Sequence, residues 1–210
     1  HRVTLTRPFY IGVFEVTQEQ WYRVTGTWWP CEFTNAQCRA TRPVDSMSYD
    51  AVRGTATGAN WPVDGTVDPS SFMGQLRAKT GIDTFDLPSE AQWECACRAG
   101  AATALNNGTD LASFDADTNL CVLGRYQSNG GDADRNVSTA QGTASVGSYM
   151  SNAWGIYDMH GNLFEWCLDW YTGHLGFDPV TDPVGAPSGT GRVLRGGCYK
   201  HVAAYNRSAF

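Results

Sequence analysis

Lysine is nearly absent from this chain: of fifteen basic residues only Lys79 and Lys200 carry an ammonium group. Charged residues make up 17% of the 210, the net charge is −6 and the arginines are scattered, so the basic stripe of a nucleic-acid-binding protein is missing. No run approaches the roughly 18 apolar residues of a membrane helix. No Cys-x-x-Cys, His-x₃-His or His-Glu-x-x-His occurs, which leaves zinc ribbons and zinc hydrolysis without support. Neither a Gly-x-Ser-x-Gly elbow nor a phosphate loop is present. A signal peptide is also lacking. The chain opens at His1 within one strand-like run and stops at Phe210 in another, and it reads as a segment cut from a longer chain at both ends. Location therefore stays open, with an extracellular or cell-surface setting the expectation.

What is present is turn-forming and aromatic. There are 23 glycines, 9 prolines and 12% aromatic residues, with 42% hydrophobic residues in all. That is enough for a sizeable core, and 210 residues fit a single domain with many loops. Cysteine is odd in number, at seven, so at least one lacks an intrachain partner. Cys31 and Cys38 flank a loop and are positioned to bridge, whereas Cys95 and Cys97, two apart on a helix, face different ways.

Local signals define the elements. Residues 3–16 alternate apolar and polar side chains as a strand pair does. Thr17 followed by Gln20 forms a capping box, predicting a helix over residues 18–25 closed by Gly26. A short helix is expected after Ser48, and another over residues 70–80 with Gly81 ending it. Residues 85–87 read as a short strand, and residues 89–98 as a helix that buries Trp93. Residues 101–145 and 172–191 are loops, rich in Gly, Asn, Asp and Pro.

The densest information lies in Gly155-Ile-Tyr-Asp-Met-His-Gly-Asn-Leu-Phe-Glu-Trp-Cys-Leu-Asp-Trp-Tyr171. Five large aromatics surround Asp158, Glu165 and Asp169. Read alone, the block fits either an aromatic core segment with solvated acids or a site of hard oxygen ligands of the kind Ca²⁺ takes. His160 within it reads as structural or exposed.

This block resembles the G-N-x-W-E-W-x-x-D-W signature of the formylglycine-generating-enzyme (sulfatase-modifying factor) family, with Phe164 where Trp is usual. Four further blocks resemble that family in the same order: Phe9-Tyr-Ile-Gly-Val-Phe-Glu-Val-Thr-Gln-Glu-Gln-Trp21, Arg42-Pro-Val-Asp-Ser-Met-Ser-Tyr-Asp-Ala51, Leu87-Pro-Ser-Glu-Ala-Gln-Trp-Glu-Cys-Ala-Cys-Arg-Ala-Gly100 and Arg192-Val-Leu-Arg-Gly-Gly197. The resemblance spans nearly the whole chain. It implies one α+β domain over residues 1–210 of the C-type-lectin-like, formylglycine-generating-enzyme-type fold, with a small antiparallel sheet, few short helices and much irregular loop. It also implies a structural Ca²⁺ held by the Asp158 and Glu165 side chains and the Gly161 and Leu163 carbonyls. The family's other calcium position falls in residues 124–140, where the expected carboxylate lands near Ser138, with Asp132 and Asp134 close by.

The family's enzymes oxidise a sulfatase cysteine to formylglycine with Cu(I) on two cysteines that follow R-G-G-S-Y. On this chain those positions are His201 and Asn206, and Cys198 takes the Ser position, so a two-thiolate copper site cannot be built. On a strand, Cys198 and His201 would face opposite sides and could not share a metal. The tail instead offers Cys198, Tyr199, Lys200, His201, Tyr205 and Asn206 in the region of the family's peptide groove, with Trp154 or Trp170 at its edge. Tyr, His and Asn suit a contact surface. The same fold branch carries retroelement-diversified variable proteins whose variable positions cluster there. The expectation is a non-catalytic domain that presents this tail to a protein or other surface ligand. The alternative is an oxidase of the sulfatase-modifying type.

Overall fold

The computed structural model describes residues 1–33, 39–55, 60–130 and 142–209. The chain divides into two compact units, each assembled from three separate stretches. The first takes His1–Ile11, Met47–Trp93 and Trp166–Leu194, and the second Gly12–Ser46, Glu94–Glu165 and Arg195–Phe210. The regular elements, in order, are β1 (Val3–Thr4), α1 (Gln18–Thr25), α2 (Tyr49–Arg53), α3 (Phe72–Thr80), α4 (Glu90–Arg98), β2 (Glu165–Trp170), β3 (Val180–Thr181) and β4 (Arg192–Arg195). Short 3-10 turns interrupt the loops, including Ala203–Asn206 in the tail.

The helices begin where local chemistry places them. Thr17 accepts from the Gln20 amide at 3.2 Å while the Gln20 side chain accepts from the Thr17 amide at 2.9 Å, and Gly26 closes α1 with φ 74°. Ser48 and Ser71 cap α2 and α3 with their hydroxyls, and α3 ends at Gly81 with φ 70°. Before α4, Ser89 and Gln92 form a second reciprocal box, at 3.2 and 2.9 Å. Each such pair satisfies amides that the helix itself leaves unbonded. Trp93 on α4 is fully buried.

The strands depart from the sequence pattern. Of residues 3–16 only Val3–Thr4 forms a strand, and it pairs in parallel with Val180–Thr181, so the expected hairpin does not form. Its second half is occupied by other bonds: Val44 donates to the Val16 carbonyl at 2.8 Å, and Tyr157 to the Val13 carbonyl at 3.0 Å. A second two-stranded sheet joins β2 to β4. Residues 85–87 form no strand. Asp86 takes two bonds from the Arg53 guanidinium, both at 2.7 Å, and a third from Arg77 at 3.1 Å, which fixes this stretch by charge. Also in the first unit, the Arg192 guanidinium lies 3.3 Å from the Trp170 ring centre and donates to the Leu168 carbonyl at 2.6 Å.

In the second unit the core gathers Leu105, Leu120, Leu123, Tyr126 and Ala203. Two loops meet there at backbone distance. A Cβ on Gly124 would stand 1.9 Å from the His160 carbonyl oxygen, and one on Gly161 would stand 2.2 Å from that of Arg125. Gly161 also has φ 116°. Gly124, whose φ is ordinary, isolates the steric part. Gly124→Ala should cost about 2–3 kcal/mol in a urea titration, within the range for overpacked sites, and a loss under about 0.5 kcal/mol would show that the loops can part.

Candidate functional site

The turn over residues 158–163 is built from unusual backbone. Asp158 and Asn162 have φ 60° and 63°, the left-handed region that Asp and Asn tolerate better than other non-glycine residues. Asp158, His160 and Asn162 are all buried. Asn162 ties four segments together. Its side-chain Nδ2 donates to Glu15 Oε2 at 2.6 Å, its Oδ1 accepts from the Ala144 amide at 2.8 Å, its own amide donates to the Arg125 carbonyl at 2.8 Å, and its carbonyl accepts from the Tyr199 amide at 3.0 Å. The next amide, Leu163, donates to Glu15 Oε1 at 3.0 Å.

Asp158 and Glu165 both act on Glu15 here. Asp158 Oδ2 accepts from the Gly147 amide at 2.7 Å, while its buried Oδ1 finds no hydrogen-bond partner. Burial pushes the Asp158 carboxyl up to about 6. Glu15 retains some exposed surface as a residue, yet burial of its carboxyl, then repulsion from Asp158 and Glu165, hold its pKa well above the usual carboxylate range. Glu165 opens β2, half-buried. Among the described residues no three His, Cys, Asp or Glu side chains form a metal-holding group. The expected cation set uses only two, Asp158 and Glu165, with the Gly161 and Leu163 carbonyls completing it. An orphaned, buried carboxylate oxygen and hard donors along one turn are compatible with an oxygen-seeking cation. The second expected cation position, with Asp132, Asp134 and Ser138, lies outside the described residues.

His160 is an internal strut. Its Nδ1 stands 2.7 Å from the Asn206 carbonyl oxygen and its Nε2 accepts from the Asn106 amide at 3.0 Å, so these partners fix a neutral ring protonated at Nδ1. Burial pushes its pKa down to about 4. Cys97 lies beside it, Sγ to Nε2 3.9 Å, its thiol raised by burial to about 12 and chemically quiet.

The tail differs from the expected strand. β4 stops at Arg195, and residues 198–201 form a turn in which the His201 amide donates to the Cys198 carbonyl at 3.0 Å. The Cys198 thiol and His201 Nδ1 therefore meet at 3.2 Å rather than facing opposite sides. Burial raises the thiol and lowers the imidazole, which favours a neutral pair over a thiolate–imidazolium pair.

Of the six tail residues expected at a ligand surface, Cys198, Tyr199 and Asn206 are buried and Lys200, His201 and Tyr205 reach solvent to differing degrees. Tyr199 packs edge-on against Phe33, centroids 5.4 Å apart, and its hydroxyl donates to Glu32 at 3.0 Å. The Asn206 side-chain Nδ2 donates to the Val202 carbonyl at 2.9 Å, fastening the side chain across the 3-10 turn. Gly197 leaves room for that side chain: a Cβ there would stand 2.2 Å from Asn206 Oδ1. Outside these, the rings run in sequence Phe164–His201–Tyr205–Phe114, with centroid spacings of 5.1, 5.3 and 6.4 Å. Phe114 is 65% exposed and Tyr205 38%. Lys200 reaches Glu32 at 3.4 Å. Trp154 is exposed on the same unit, while Trp170 belongs to the other. The sequence reading missed Glu15 and Phe114. Glu15 had a signal, a lone acid in the apolar run Val13-Phe14-Glu15-Val16; Phe114 stood out as an aromatic in a long polar loop, but nothing local tied it to the tail.

Comparison with known proteins accords with this arrangement. The family model of the sulfatase-modifying factor enzyme 1-like domain matches residues 1–210, and the chain belongs to that family. The formylglycine-generating enzyme of Bos taurus is 34% identical over 124 residues, 57% of this chain and 31% of that protein. The chaperone protein LppX of Paenibacillus barcinonensis is 31% identical over 218 residues, 93% of this chain and 70% of that protein. Among solved structures, Treponema denticola variable protein 1 superposes with a TM-score of 0.70 at 26% identity, covering 93% of this chain and 75% of that one. The fold is thus the formylglycine-generating-enzyme form of the C-type-lectin-like fold. The chain spans under half the length of the formylglycine-generating enzymes it matches.

The Asn162 side chain should carry much of the turn's stability. Asn162→Gly keeps the left-handed backbone accessible and deletes only the amide. Leaving Glu15 and the Ala144 amide short of partners should cost about 2 kcal/mol or more, measured by chemical denaturation. A loss below about 0.5 kcal/mol would show that the amide is dispensable.

Proposed function

We propose that this domain is a non-catalytic binding module. Its contact surface is formed by Lys200, His201 and Tyr205 with the flanking rings of Phe114 and Phe164, and it faces a protein ligand. The observation that carries this reading is the run of partly exposed rings along the tail, at the place where the family's enzymes keep their copper cysteines. His201 occupies one of those positions and joins the ring series, while Asn206, in the other, is committed to the backbone of the tail. Amphipathic rings give contact area at low entropic cost. The likeness to a protein named as variable supports a diversified tail, and the likeness to one named as a chaperone supports protein partners. The oxidase reading draws on the 34% identity with the bovine enzyme but needs a thiolate pair that His201 and Asn206 do not supply.

The test starts from a selection of displayed protein ligands with the domain as bait. Combining Lys200→Ala, His201→Ala and Tyr205→Ala should weaken the selected ligands at least about 30-fold, the equivalent of one hot spot of about 2 kcal/mol, while the Tm stays within a few degrees. Unchanged affinity would remove the surface from consideration. In parallel, aldehyde formation on a Cys-x-Pro-x-Arg peptide with Cu(I) would favour the oxidase.

In the same unit we propose one structural Ca²⁺ on Asp158, Glu165 and the Gly161 and Leu163 carbonyls. The support is the buried, partnerless Asp158 Oδ1 beside other acids. An ion bound only by the folded state stabilises it by mass action. Chelation should therefore lower the Tm, and Glu165→Gln should abolish the response. A wild-type Tm indifferent to chelator would argue against the ion.

A further inference from the structure

We propose that Glu15 is the outer carboxylate of that cation site: it supplies a third negative charge and holds the turn in ligating shape without itself being a ligand. This rests on the reading of residues 158–165 as a cation site. Glu15 comes from the stretch before α1, far away in sequence, yet both its oxygens are committed to the turn. Oε2 takes the Asn162 side-chain N–H at 2.6 Å and Oε1 takes the Leu163 amide at 3.0 Å. Those bonds orient the peptide whose next carbonyl, that of Leu163, is an expected ligand.

The charge distribution points the same way. Neither Glu15 nor Asp158 has an ion pair with a basic side chain among the described residues. Buried carboxylates are costly unless they take up a proton or meet a positive charge. A bound cation supplies that charge while leaving their oxygens free to ligate. The independent sign is Asp158, 1% exposed, whose Oδ1 has no hydrogen-bond partner. Groups that orient ligands typically contribute about 10–100-fold to metal affinity. An irregular set of side-chain and main-chain oxygens suits Ca²⁺ better than Mg²⁺, which demands a tighter octahedron.

Terbium serves as the probe, with Tyr157 beside Asp158 as its luminescence donor and Ca²⁺ as the competitor. Wild type should bind Tb³⁺ and release it to Ca²⁺ but not to equal Mg²⁺. Glu15→Gln, which keeps an acceptor oxygen but removes the charge, should weaken both ions at least about tenfold. Glu19→Gln, whose side chain pairs with Arg23 on α1, should leave them unchanged. If Glu15→Gln binds as wild type does while Asp158→Asn does not, the cation site stands and the role of Glu15 falls. If wild type binds neither ion, the calcium reading itself falls. Should Glu15→Gln unfold in chelator, recovery of the fold at raised Ca²⁺ concentration supports the proposal. Failure to recover at any Ca²⁺ concentration overturns it and makes Glu15 a folding residue.

Discussion

The second unit depends on one buried amide. Asn162 sits in left-handed backbone, cannot reach water, and must place three N–H donors and two carbonyl oxygens among its neighbours. It does so by joining Glu15, Ala144, Arg125 and Tyr199, four segments that no regular sheet or helix connects. In a protein with so little ladder hydrogen bonding, such side-chain ties do the work that strand pairing does elsewhere. Gly124 and Gly161 permit it, because only residues without a Cβ let the two loops approach.

The tail inherits its shape from this point. The Asn162 carbonyl receives the Tyr199 amide, and His160 holds the Asn206 carbonyl, so both ends of residues 199–206 are fastened to the same turn. Buried residues alternate with partly exposed ones along the tail: Tyr199 and Asn206 anchor it, while Lys200, His201 and Tyr205 are presented outward. Such a division lets the outward positions change in identity without disturbing the anchors, which is what a variable contact surface requires.

How much of this was legible in the sequence follows from the range of the interactions. Thr17, Gln20 and Gly26 act within one turn of the helix they bound, and α1 appears where they predict it. The helices expected over residues 70–80 and 89–98 form as α3 and α4, starting within two residues of those bounds. The five ordered blocks disclosed the family, and the tail was identified as the departure from it. What failed was non-local. Alternation in residues 3–16 suggested a hairpin, but that stretch finds its partners at Val44, Tyr157 and Val180. Residues 85–87 looked like a strand until Asp86 met Arg53 and Arg77. Treating residues 198–201 as strand separated Cys198 from His201, whereas a turn brings them to 3.2 Å. Polar character and the position of the family's groove suggested that Tyr199 and Asn206 belong outside; both are buried, the hydroxyl bonded to Glu32 and the side-chain N–H to the Val202 carbonyl.

We propose that a cation on the acid-lined turn holds the tail in its presenting shape. Amide hydrogen exchange at Tyr199 and Asn206 reads this directly, because the first amide bonds to Asn162 and the second lies in the segment fastened by His160. With Ca²⁺ present both should exchange slowly, and chelation should accelerate them together while the α3 amides, in the first unit, stay protected. Equal protection of the tail with and without Ca²⁺ would contradict the account.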